Sequence, residues 1–122
     1  MIVEHKYHGT PKFRAVIARL LQIARDKEAP ILYGEVFKLM GLKAGNHAAA
    51  EAGHLLGEIS ERCHLQGEPM LSALVVNKDT GIPGEGFYTL AKSLGKLEQN
   101  APLPRLKEFW QSELRSIYST SW

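Results

Sequence analysis

The sequence predicts an α+β domain, mostly helical and winged-helix-like, in which a helix-turn-helix leads into a strand or degenerate hairpin and an added C-terminal helix follows. Three observations predict it. Apolar residues recur at three- and four-residue intervals in several separate stretches. The run Leu74-Val75-Val76 is too short and too β-branched for a helix, and Lys78-Asp79-Thr80-Gly81 follows it as a turn. Pro30, Gly41, Gly67 and Gly95 fall between these stretches, where caps and breaks belong.

Thr10 and Pro11 start the first helix, a hydroxyl cap before a residue that needs no amide partner at the first helical position. Phe13, Val16, Ile17, Leu20, Leu21 and Ala24 form its core face, and Lys12, Arg14, Arg19 and Arg25 its polar face, up to about Glu28. Tyr33–Met40 reads as a short helix with Val36, Phe37 and Met40 inward, closed by Gly41 in the left-handed conformation. Asn46 caps the third helix, whose stripe is Ala49, Ala52, Leu56, Ile59 and Cys63, ended by Gly67. Gly45, Ala48, Ala50, Gly53 and Gly57 give that helix small surfaces, expected to pack tightly against the first helix.

Residues 70–77 read as one strand. Pro83, Gly84 and Gly86 oppose a return strand, and Phe87, Leu90, Ala91 and Leu94 recur at helical spacing before Gly95. Residues 96–104 read as a linker. Pro104 opens a last helix carrying Leu106, Phe109, Trp110, Leu114, Ile117 and Tyr118 on one side.

A chain of 122 residues with 44% apolar side chains buries one core without staples, so residues 1–122 read as a single domain with an arm at 1–9. The single cysteine, Cys63, excludes an internal disulfide. No apolar stretch suits a signal peptide or membrane span, so a cytoplasmic location and no membrane are expected. A net charge of +2 is too mild to argue for nucleic acid by itself. Its distribution is uneven: residues 1–43 hold eight Lys/Arg against four Asp/Glu, whereas residues 44–68 hold Arg62 against Glu51, Glu58, Glu61 and Glu68.

Tyr33-Gly34-Glu35-Val36, then Leu39-Met40-Gly41 and an alanine- and glycine-rich helix, resemble the DNA-binding half of alkyltransferase-like proteins. Val75-Val76-Asn77-Lys78-Asp79-Thr80-Gly81 is similar to that family's later strand and turn, and the resemblance spans roughly residues 13–86. In that family a tyrosine helps rotate a damaged nucleotide out of the duplex, and an arginine in the following helix fills the gap. The resemblance implies the tyrosine's role for Tyr33. The arginine's position falls near Glu51, an acidic side chain that would repel phosphate. In the family's repair enzymes a cysteine just before the strand accepts the alkyl group. Cys63-His64 lies at a helix end, outside the proline-cysteine-histidine-arginine order, so that role does not carry over. The block Leu71-Ser72-Ala73-Leu74-Val75-Val76 through Pro83-Gly84-Glu85-Gly86-Phe87 is also similar to a segment of uncharacterised small proteins of bacteria and their phages. That likeness implies a setting and no activity.

His47, Glu51, His54 and Glu58 are spaced four, three and four, on one helix face that Glu61 continues. A solvated polar face is the expected reading, with a metal site or pH-sensitive interface as the alternatives. Glu4, His5 and His8 form a second cluster in the arm. Cys63 reads as a buried structural thiol, because adjacent helical residues such as His64 point about 100° away. The loop 81–86 lacks the lysine and hydroxyl of a phosphate-binding loop and reads as a wing tip or tight turn.

The leading expectation is a non-catalytic domain that binds duplex DNA through Lys12, Arg14, Tyr33, Lys43, His47 and Lys78. The alternative is a protein-interaction module, an inhibitor, a subunit or a homodimer, that uses the acidic helix face and Trp110, Tyr118 and Trp122. No cofactor, metal or catalytic set is expected.

Overall fold

Helix α1 (Pro11–Asp26) begins where its cap predicts: the Thr10 hydroxyl accepts the Phe13 N–H at 3.3 Å and donates to the Tyr7 carbonyl at 2.6 Å. It stops at Lys27, left-handed with φ 54°, and buries Phe13, Val16, Leu20, Ile23 and Ala24. The computed structural model describes residues 4–122. After α1 come β1 (Ile31–Leu32), α2 (Tyr33–Met40), α3 (Asn46–Leu65), a 3-10 turn (Leu71–Leu74), β2 (Val75–Val76), α4 (Glu85–Ser93) and α5 (Leu103–Ser119). The architecture is α+β and mostly helical, with one small sheet of two parallel strands in which Ile31 pairs with Val75 and Leu32 with Val76.

Helix α2 ends at Gly41 in the left-handed conformation, as its sequence predicts. In α3 the cap falls at Gly45, φ 152°, and Asn46 is the first helical residue. The buried face of α3 is Ala48, Ala52, Leu55, Leu56, Ile59 and Cys63; Ala49, expected inside, is exposed. A run of alanines and glycines offers little apolar contrast, which leaves the first turns of such a stripe open to this shift.

The expected strand over 70–77 is mostly absent. Leu71–Leu74 forms a buried 3-10 turn, and only Val75 and Val76 are strand. The backbone here finds its partners in side chains rather than in a neighbouring strand. The Met70 N–H donates to Glu113 Oε1 at 3.0 Å, the Ser72 N–H to Ser60 Oγ at 3.1 Å, and the Ala73 carbonyl accepts the Trp110 indole N–H at 2.9 Å. Past β2 the chain turns on itself, the Asn77 N–H to the Ile82 carbonyl and the Gly81 N–H to the Asn77 carbonyl, both at 2.9 Å. Among the described residues no return strand forms, and Gly84 leads directly into α4.

The core gathers the inner faces of all five helices and the 3-10 turn, with Leu20, Ile23, Leu55, Ile59, Met70, Leu74 and Ile117 fully buried. Each such side chain contributes roughly 1.5–3 kcal/mol through its removal from water. No described helix is long and apolar enough to cross a membrane.

Candidate functional site

One side of α3 is left open. Ala50, Gly53 and Gly57, expected to pack against α1, and Ala49, expected in the core stripe, instead line a half-open cleft of about 350 Å³ between α2, α3 and α4. A Cβ added at Gly53 would meet nothing within 4 Å, so no neighbouring backbone uses this surface. Phe37, Leu56, Phe87 and Leu90 form the apolar walls, and Tyr33, Ser72, Asn77 and Gly84 bring polar atoms.

The Tyr33 hydroxyl accepts the Gly84 N–H at 3.0 Å. A Cβ at Gly84 would stand 3.2 Å from that oxygen, so glycine lets the loop close onto the tyrosine undisplaced. Burial raises the Tyr33 pKa, which keeps the phenol neutral with a proton available to donate. The Tyr88 hydroxyl is buried without a hydrogen-bond partner among the described residues, and burial, followed by the nearby Tyr33, pushes its pKa up to about 12. Asn77 spends its backbone on the turn, and its amide lines the cleft.

Of the six residues expected to meet nucleic acid, Tyr33 is the one that lines the cleft. Exposed His47 stands two residues before Ala49, exposed Lys43 lies in the link to α3, and exposed Lys78 follows Asn77. Lys12 and Arg14 are not brought here. Both are exposed on α1, which contributes no lining residue, and the Arg14 guanidinium donates to the Gly9 carbonyl at 2.5 Å.

The face of α3 expected to be solvated is covered by the N-terminal arm. Both oxygens of Glu58, 3% exposed, accept backbone N–H groups: Lys6 at 3.0 Å and Tyr7 at 2.8 Å on Oε2, His8 at 2.8 Å on Oε1. Glu51 accepts the Lys6 ammonium at 2.5 Å and the Tyr7 hydroxyl, and these bonds, Lys6 first, hold its carboxyl down at about 2. His54 Nε2 meets the Glu4 carbonyl at 2.7 Å and Glu58 at 3.3 Å, and His5 faces Glu61 at 3.6 Å. The physical reason for the difference is Tyr7: its ring is 9% exposed and joins the core, which draws the arm onto α3. Among the described residues no group of three or more His, Cys, Asp or Glu is placed to hold a metal ion.

Cys63 is buried, and burial pushes its thiol up to about 11, away from a reactive thiolate. The terminal aromatics are half-buried against the core, and their polar atoms bond within the chain. The Trp110 indole reaches the Ala73 carbonyl, the Tyr118 hydroxyl donates to the Glu28 carbonyl at 2.5 Å, and the Trp122 indole donates to the Ile117 carbonyl at 2.8 Å.

No protein-family model, curated protein or solved structure matches the chain. The cleft walls Phe37 and Phe87 and the amide of Asn77 were not singled out as functional by sequence reasoning. The signal that points to them is the four-residue spacing of Ala49, Gly53 and Gly57, a small-residue stripe offset from the apolar one.

Proposed function

We propose that the chain is a non-catalytic DNA-binding domain of winged-helix type that holds duplex DNA at the cleft between α2, α3 and α4. The observation that carries this reading is the cleft itself. Its apolar walls, a neutral phenol and a primary amide suit one unstacked base, and exposed Lys43 and Lys78 flank its lining segments in the chain. The order of α1, β1, α2, α3 and β2 supports a winged-helix reading in which the wing is reduced to the turn after β2. The resemblance to alkyltransferase-like proteins, which gives Tyr33 its part beside an extruded nucleotide, agrees with the place of Tyr33 in the cleft. The charge of α3 no longer opposes the reading, since Glu51 is bridged by Lys6, and Glu58 and Glu61 are buried under the arm. Those same contacts, with the internal bonds of Trp110, Tyr118 and Trp122, leave the alternative of a protein-interaction module with little of the surface it needs.

The test is fluorescence anisotropy of a labelled duplex at low and moderate salt, with the triple variant Lys43→Ala, His47→Ala, Lys78→Ala alongside. Micromolar binding that weakens steeply with salt is expected, with the slope shallower by about 2 in the variant, one unit for each lysine. A duplex with one mismatch binds more tightly, because unpairing its base costs less of the few kcal/mol that extrusion requires. Absence of binding at low salt would refute the proposal.

A further inference from the structure

Resting on that reading, we infer that residues 4–8 are a working part of the DNA-binding surface and that Glu58 is the positioning residue that holds them there. Three consecutive N–H groups, of Lys6, Tyr7 and His8, converge on one buried carboxylate. Successive backbone N–H groups that curl around an anion form a nest, and here the anion is the protein's own side chain. The arrangement uses the charge of Glu58 to fix the arm on α3. In return it removes Glu58 and Glu61 from the surface, each 3% exposed or less.

The docked arm sets one lysine, Lys6, against one carboxylate, Glu4, and lays that lysine over the acidic face of α3. Lys6 lies across Glu51, with half of its side chain still exposed at 52%, and its ammonium is 5.4 Å from the Tyr7 ring centroid. Exposed His5 and His8 stack at 5.5 Å beside it. The arm reaches the cleft region as well. Glu4 and His54 line a second, shallower chamber that shares Gly53, Gly57, Gly86 and Leu90 with the first. An undocked arm leaves α3 presenting Glu51, Glu58 and Glu61 to a polyanion; a docked arm presents Lys6 and Glu4, a balance of zero in place of three carboxylates.

Glu58→Gln separates positioning from folding. It keeps the shape but replaces one accepting oxygen with an NH₂ group, so one side of the nest meets a donor. In the 122-residue chain we expect amide exchange at Lys6, Tyr7 and His8 to accelerate about tenfold or more while α1 and the core of α3 stay protected. Duplex affinity falls by about tenfold at low salt, and the salt slope is shallower by about 1, the contribution of one lysine. Lys6→Gln, which keeps its backbone N–H, is expected to lose the same slope with exchange unchanged.

Protected amides at residues 6–8 in Glu58→Gln would show that Glu58 does not hold the arm. Faster exchange with unchanged duplex binding would make the arm structural only. If the unmodified protein fails to bind duplex, the proposed function falls and the arm's part in it falls too, while exchange still reports whether Glu58 holds the arm.

Discussion

Gly53→Leu is expected to abolish duplex binding while leaving the protein at least as stable as before. Gly53 lies inside α3, and a Cβ added there meets nothing within 4 Å, so the backbone accepts a side chain without strain. Glycine inside a helix costs about 1 kcal/mol against a good helix former, and removing that cost raises the melting temperature by several degrees. A leucine there extends into the cleft toward Phe87 and Leu90 and occupies the space proposed for a base. Anisotropy and scanning calorimetry on one preparation read both effects. A loss of affinity of about a hundredfold with an unchanged or higher melting temperature is expected. Undiminished binding would place the DNA elsewhere.

The second large effect concerns stability. Glu113→Ala is expected to cost about 3 kcal/mol, read from urea denaturation midpoints. Glu113 Oε1 accepts the Met70 N–H at 3.0 Å and the Lys96 ammonium at 2.6 Å, and its side chain is 10% exposed. Removing the carboxylate leaves the buried Met70 N–H without a partner, roughly 1–3 kcal/mol by itself. The remainder is the lost pairing with Lys96, whose 21% exposure lets water take back part of it. Glu113→Gln keeps a neutral acceptor and loses less. A cost below about 1 kcal/mol would contradict the account of why residues 71–74 form a 3-10 turn instead of a strand.

That turn shows where the sequence was legible and where it was not. Helices α1, α2, α4 and α5 could be read from Thr10-Pro11, Gly41, Gly95 and Pro104, because caps and apolar periodicity are local signals. The strand expected over 70–77 rested on β-propensity. That propensity gave way to tertiary partners, Ser60 on α3 and Glu113 and Trp110 on α5, which no local pattern announces. β1 went unseen because two residues carry no period, and its existence depends on Val75 and Val76 lying beside it.

The site was legible in part. Tyr33 lines the cleft; Lys43, His47 and Lys78 are exposed but are not among its lining residues, and Lys12 and Arg14, chosen for charge alone, lie on α1, which contributes none. The acidic face of α3 was read as solvated because its partners come from residues 4–8, more than forty positions earlier, through backbone N–H groups that no side-chain pattern reveals.

Whether duplex DNA is held at the cleft is read most directly from amide shifts of the isotope-labelled 122-residue chain during titration with a short duplex that carries one mismatch. Saturable shifts concentrated at Tyr33, Lys43, His47, Gly53, Lys78 and Gly84 are expected, with α5 nearly silent. Shifts confined to α5 and Trp122, or none at low salt, would contradict the proposed cleft site.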